Sequence, residues 1–287
     1  QNELAEERDD LEKTLGSDAR LKTLIKKELE TVANDHGDDR RSPIVEREEA
    51  KAFSELELTT ADPLTVVLSE KGWIRAAKGH DIDPEALSYK SGDGFKLAAK
   101  GRSNLPTVVF DSTGRSYSLP SHQLPSARGQ GEPLTGRINP PSGATFEALL
   151  TGVDADRYLL ASDAGYGFVG RFADLQTKNK AGKAVLSLPK GAGVLQPGSV
   201  GSADETAMVA AVSNEGRLLV FPLTDLPELS RGKGNKIIGI PTPRAAAREE
   251  LMVGAVVLVP GNVLQITAGK RHLKLKFSDL EHYRGER

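Results

Sequence analysis

Apolar positions recur at two different periods along this chain. Over the first 36 residues, Leu4, Leu11, Leu15, Leu21, Leu24, Ile25, Leu29 and Val32 fall at three-, four- and seven-residue steps, the spacing of one helical face. Gly16-Ser17-Asp18 interrupts the run, and Ser17 or Asp18 can cap a second helix starting near Ala19. With fewer than four heptads, the stripe fits a packed helix as well as a coiled-coil arm. The stretch 37–43 closes the segment, and Pro43 with Ser42 as cap predicts a short helix over Ile44–Ala52. Glu55–Asp62 reads as a polar bridge.

Beyond it the pattern changes to short apolar runs broken by glycine turns. The fullest copy is 207–240. The strand Ala207–Val212 leads through the turn Ser213-Asn214-Glu215-Gly216 into the strand Arg217–Phe221. The acidic corner Thr224-Asp225-Leu226, the basic glycine loop Ser230–Lys236 and a third strand, Ile237–Ile240, follow. Glycine between two apolar runs signals a hairpin, because it tolerates positive φ. Related copies occupy Thr65–Lys78, Pro106–Leu134, Arg157–Leu188 and Ala255–Arg287. Their turn glycines, at 72, 114, 165, 216 and 269, are spaced by 42, 51, 51 and 53 residues. Such periods belong to blade architectures, in which one small sheet must stack on its neighbours. The competing reading is a β-sandwich with evenly spaced turns. The expected fold is therefore mainly β, five blades over residues 62–287, preceded by a helical segment over 1–61.

Composition narrows the class. The 287 residues include no cysteine, which excludes a disulfide framework and thiolate metal sites. The longest apolar run, Leu251–Val259, is too short to insert across a bilayer. With no signal peptide and no initiator methionine, the chain reads as a fragment of a longer, soluble, cytoplasmic protein. Its net charge of −2 hides an asymmetry: residues 1–62 carry 18 acids and 10 bases, the remainder 22 acids and 28 bases. The basic half is the repeat region, and its cations gather in the glycine loops and just after the turns. A basic face on a β domain points to a polyanion.

Duplex DNA needs several cations on one curved surface rather than one pocket. Repeated blades put the same loop of each blade on one rim, so basic loops form a track. Glycine there would let backbone N–H groups approach phosphates, and arginine forks onto phosphate oxygens. The candidate phosphate contacts are Arg75, Lys78, Arg115, Arg128, Arg137, Arg171, Lys178, Lys180, Lys183, Arg217, Arg231, Lys233, Lys236, Lys270, Arg271 and Lys274. For each, the alternative is a solvated surface charge. Other constellations fail. Gly232-Lys233-Gly234 lacks the third glycine of a dinucleotide site, and no P-loop sequence occurs. The histidines at 36, 80, 122, 272 and 282 have no ligand spacing, and His80 reads as a turn residue. Trp73 fits blade packing better than a stacking platform.

Several stretches are familiar as a set. Gly37-Asp38-Asp39-Arg40-Arg41-Ser42-Pro43, Gly72-Trp73-Ile74-Arg75, Leu124-Pro125-Ser126-Ala127-Arg128-Gly129-Gln130-Gly131, Ala161-Ser162-Asp163-Ala164-Gly165-Tyr166-Gly167-Phe168 and Lys233-Gly234-Asn235-Lys236 closely resemble the A subunit of bacterial topoisomerase IV, which is a type IIA topoisomerase and gyrase relative. The resemblance covers nearly the whole chain. It implies a C-terminal β-pinwheel, a propeller-like and often broken ring of five blades that exchange strands. It also implies that the domain binds and bends double-stranded DNA and selects the segment to be transported. The parent enzyme would be a nucleoid-associated A2B2 heterotetramer whose B subunits are ATPases, using ATP and Mg²⁺ outside this fragment, which itself needs no cofactor. The rival function is a protein-interaction platform, its basic rim docking an acidic partner, for which the resemblance offers a chromosome-condensing protein as one candidate. Two departures matter. The region Tyr89–Phe95 keeps the glycines of the gyrase basic box but lacks its arginine pair, which favours topoisomerase IV over gyrase. Arg157-Tyr158 is the only Arg-Tyr pair; it sits in an apolar run without the motif that flanks the family's catalytic tyrosine, so this fragment is expected to be non-catalytic.

Overall fold

The computed structural model describes residues 2–38, 42 and 60–285. The chain divides into two compact units, Gln1–Ala52 and Phe53–Arg287. In the first, α1 (Asn2–Leu15) and α2 (Asp18–His36) meet at the expected break. Ser17 holds the N-cap position of α2 in extended conformation, but its hydroxyl makes no capping bond. Neither helix buries a residue, and Leu4 and Leu29 are 71% and 64% exposed. The expected helix over 44–52 lies outside the described residues, as does most of the bridge after it.

The second unit repeats one motif. β1 (Pro63–Ser69) turns at Gly72 into β2 (Trp73–Lys78), and β3 (Phe95–Arg102) returns to the other edge of β1. The next repeat comprises β4 (Pro106–Asp111), β5 (Arg115–Pro120), β6 (Glu132–Pro133) and β7 (Phe146–Thr151). The third comprises β8 (Arg157–Ser162), β9 (Tyr166–Arg171), β10 (Lys183–Ala184) and β11 (Gly198–Ser199). The fourth comprises β12 (Met208–Ser213), β13 (Leu218–Pro222), β14 (Asn235–Lys236) and β15 (Met252–Leu258). The first two strands of each repeat form an antiparallel hairpin, and the last pairs with the first. The short third strand leaves: β6 crosses to β2, β10 to β5 and β14 to β9. Neighbouring sheets thus exchange strands, in the orders β3-β1-β2-β6, β10-β5-β4-β7, β11-β8-β9-β14 and β13-β12-β15. The five turn glycines all have positive φ, from +59° at Gly269 to +82° at Gly165.

These four sheets are the blades of a propeller-like body, one fewer than the five expected. The last copy contributes only a two-stranded hairpin, β16 (Val263–Ala268) with β17 (Arg271–Lys276). The apolar run assigned to its start forms β15 instead, pairing with Met208–Ser213 on the open edge of β12. A continuous apolar run carries no mark of which neighbour it joins. The expected strand Ile237–Ile240 is also displaced. The strand there is β14, and Ile237, Ile238 and Ile240 plug the core between the third and fourth sheets.

The cores lie between successive sheets, which explains the unbroken apolar runs. Alternate side chains of one strand serve opposite neighbours. In β4, Val109 packs with Leu64, Val66 and Ile74 of the first sheet, while Val108 and Phe110 pack with Leu160 and Phe168 of the third. In β12, Val209 and Ala211 face Leu159 and Val169, while Met208 and Ala210 face Leu264 and Leu275 of the last hairpin. Each large side chain fully buried in this way contributes roughly 1.5–3 kcal/mol.

Candidate nucleic-acid interface

The segment after each of the second, third and fourth hairpins runs back over the preceding hairpin. Ala76 N–H donates to Pro125 O at 2.8 Å and Ala127 N–H to Ala76 O at 2.9 Å, laying the loop 126–131 along β2. Val169 N–H donates to Pro227 O at 3.0 Å and Leu229 N–H to Val169 O at 2.9 Å, laying 228–236 along β9. The loop 178–183 reaches β5 through the pairing of Lys183 with Ser116. Three basic loops therefore dock at equivalent places on successive hairpins. Their glycines serve this docking. A Cβ on Gly131 would stand 2.5 Å from Ile74 O, and one on Gly234 would stand 2.0 Å from Gly167 O. Both residues also have positive φ, +86° and +73°. At these positions glycine is required where two protein backbones meet, rather than for the approach of a phosphate as the sequence suggested.

The sixteen predicted cations fall into distinct settings. Lys78, Arg128, Lys178, Lys180, Arg231, Lys236, Lys270, Arg271 and Lys274 are exposed, and none has an ion pair among the described residues. Lys78 and Arg128 come together at a cleft of ≈ 400 Å³ between the end of β2 and the first glycine loop. Lys233 is exposed, with its ammonium 4.1 Å from the centre of the Tyr166 ring. The others are engaged by the protein. Arg75 is only 2% exposed. Its Nη1 donates to Ser88 O at 2.8 Å and Gly129 O at 2.9 Å, and its guanidinium lies 4.5 Å over Tyr89. It is a structural clamp, buried away from the surface where the sequence suggested a phosphate contact. Arg137 pairs with Glu132 and donates to Gln123 O at 2.7 Å. Arg171 pairs with Glu228. Lys183 donates to Asp174 O at 2.5 Å. Arg115 donates to Ala181 O at 3.1 Å, but no acid neutralises it among the described residues.

Arg217 is 47% exposed at its side chain but is held by an acid of its own chain. Glu250 is 1% exposed and takes bonds from both Arg217 and Arg244, the latter at 2.9 Å. A buried carboxylate demands such partners, so Arg217 is committed to holding the connection between β14 and β15. Arg248, whose φ is +61°, fastens the same connection by donating to Asp163 at 2.5 Å.

Sequence reasoning missed Lys90. It is exposed, and its ammonium sits 3.5 Å from the centre of the Trp73 ring. The available signal was an aromatic directly after a turn glycine with a lysine in a nearby glycine loop. Trp73 is half-buried, so its ring both packs and carries a cation. His80 is half-buried and bonded to Gly101 O at 2.8 Å, a structural role. Tyr158 is buried, and its hydroxyl donates to Thr151 O at 3.0 Å. Burial, then the nearby Asp156 carboxylate, push its phenol up to about 12, the wrong direction for a nucleophile. No helix among the described residues is long and apolar enough to cross a membrane.

A family model described as the DNA gyrase C-terminal domain, beta-propeller, matches residues 207–256. Over all 287 residues the chain is 60% identical to the A subunit of DNA topoisomerase 4 from Pseudomonas aeruginosa and 52% identical to that from Escherichia coli K12. It spans 38% of the length of each of these curated relatives. Among solved structures, the E. coli ParC C-terminal domain is similar at 52% identity and a TM-score of 0.70, over 79% of this chain and 91% of that one. A DNA gyrase A C-terminal domain shares the fold at 15% identity and a TM-score of 0.57, over 76% of this chain and 72% of that one.

Proposed function

The chain belongs to the family of C-terminal domains found in the A subunit of topoisomerase IV, and from that premise we propose that it is a duplex-DNA-binding and DNA-bending module. Residues 62–287 grip a distal duplex and present it for transport during decatenation and supercoil relaxation. Residues 1–61 link this grip to the rest of a longer polypeptide. Strand cleavage, ATP hydrolysis and the use of Mg²⁺ belong to parts of an A2B2 parent enzyme outside this chain, with the ATPase in its B subunits. The setting is the bacterial cytoplasm, on the nucleoid.

The observation that carries this reading is the repeated docking of basic loops on successive hairpins. It leaves Arg128, Lys180, Arg231 and Lys233 exposed. Contacts of this kind neutralise phosphates and release counterions without reading bases. Bent duplexes would be chosen by deformability.

The test is fluorescence anisotropy of a short duplex across a salt series. Neutralising about five phosphates gives a log–log slope near −4.5, at roughly −0.9 each, whatever the sequence. Reversing Arg231, Lys233 and Lys236 together should weaken binding to every sequence alike. Unchanged affinity would remove that loop from the track. No binding of duplex even at low salt would instead favour an acidic or chromosome-organising protein docked on the same rim.

A further inference from the structure

The residue after each turn glycine holds one place in every hairpin: Trp73, Arg115, Tyr166, Arg217 and Lys270. Three of the five are basic. The two aromatic ones each carry a lysine on the ring face, Lys90 on Trp73 at 3.5 Å and Lys233 on Tyr166 at 4.1 Å. The two lysines come from different parts of the chain. Lys233 lies in the loop that crosses from the fourth repeat to β9. In the loop that crosses to β2, the Gly-x-Gly frame puts Gln130 where Lys233 would be. The first repeat fills the gap from its own connection, which bears Lys90. Two unrelated segments thus deliver an ammonium to the same place, in both cases onto an aromatic ring.

We infer that this post-glycine place is a phosphate-contacting position repeated along the duplex track, and that Trp73 and Tyr166 are positioning residues for Lys90 and Lys233. The inference rests on the duplex-binding function proposed above. The quadrupole of an aromatic ring attracts an ammonium seated on its face. It narrows the freedom of a long side chain while leaving other N–H groups turned to solvent. Neither lysine has an acidic partner among the described residues, so the charge stays available. Arg217 marks the contrast, since it holds the same place but is bound to the buried Glu250. The track therefore runs through the first three hairpins and the last, and skips the fourth.

The 287-residue chain has one tryptophan, so Trp73 reports on its own site. Duplex binding would be followed by anisotropy across a KCl series and by Trp73 emission, with thermal melts to verify folding. Saturation with duplex should change the emission, as a phosphate is brought up to the ammonium seated on the ring. Lys90→Gln, a surface change, should reduce the steepness of the salt slope by about 0.9. Lys233→Gln should do the same. Trp73→Leu should reproduce the Lys90→Gln loss with the lysine still present, and Trp73→Phe should restore the slope. If the unsubstituted chain binds no duplex, this inference falls together with the proposed function. If it binds steeply with salt, but both lysine variants keep the full slope and Trp73 emission is unmoved, the inference is overturned and the proposed function stands.

Discussion

Gly234 and Gly216 have nearly the same φ, +73° and +78°, yet the structure asks different things of them. Around Gly216 there is open space, whereas Gly234 lies against the backbone of Gly167. Gly216→Ala should cost about 1 kcal/mol, for the left-handed backbone alone. Gly234→Ala should cost more, on the order of 3 kcal/mol, because a crossing loop must lift off β9. Urea midpoints would measure both, and equal losses would refute the crowding argument. Turn glycines were legible in the sequence because positive φ is a local demand. The role of Arg75 was not legible. Its letter matches that of Arg128, and only the folded backbone brings Ser88 O and Gly129 O to its guanidinium. Arg75→Gln should therefore cost on the order of 3 kcal/mol, two bonds from a buried charged group, and leave the salt slope of duplex binding unchanged. Arg128→Gln should do the reverse, flattening the slope without moving the melting temperature.

Among elements, the connection from β2 to β3 shows how a loop is made rigid. The Asp93 carboxylate accepts from Lys71 N–H at 2.9 Å and from Gly94 N–H at 2.8 Å, pinning the loop under Lys90 to the first hairpin turn. Burial pushes this carboxyl up. Hydrogen bonds from Ser69, Lys71 and Gly94, with the Lys71 charge, outweigh burial and hold it below the usual carboxylate range. A lowered folded value means stability that is present above the unfolded pKa and lost as pH falls through the folded one. Below about pH 4, the unsubstituted chain should lose more stability than Asp93→Asn, in denaturant midpoints taken down the acid limb. Parallel losses would show that the pinning carries no pH dependence. The hairpins themselves were readable, since period and turn chemistry are both local. The partners of β14 and β15 were not. A two-residue strand has no periodicity, and the run 251–259 pairs with a strand some forty residues earlier, a separation no local pattern records.

For the whole molecule, the sequence period counted hairpins, and the structure counts sheets. The fifth hairpin forms, but it builds no sheet of its own beyond two strands. It still matters to its neighbour, because Leu264, Leu275 and Leu280 share a core with Met208, Ala210 and Val220. Coupling that passes only between adjacent repeats makes a specific forecast. Deleting residues from Gly261 onward should lower amide protection in β12 and β13 while leaving β1 and β4 protected. Loss throughout would mean that the body melts as one. The charge pattern was legible as a basic repeat region, but which cations are free was decided by acids distant in sequence, such as Glu250 for Arg217. The backward donation of β6, β10 and β14 also sets a timetable for synthesis. As the chain leaves the ribosome, β2 cannot be closed until the second hairpin has been made and the chain has passed Glu132, and β5 and β9 wait in the same way. Each of the first three sheets is therefore born with an open edge and is sealed by its younger neighbour, so nascent folding runs one repeat behind translation.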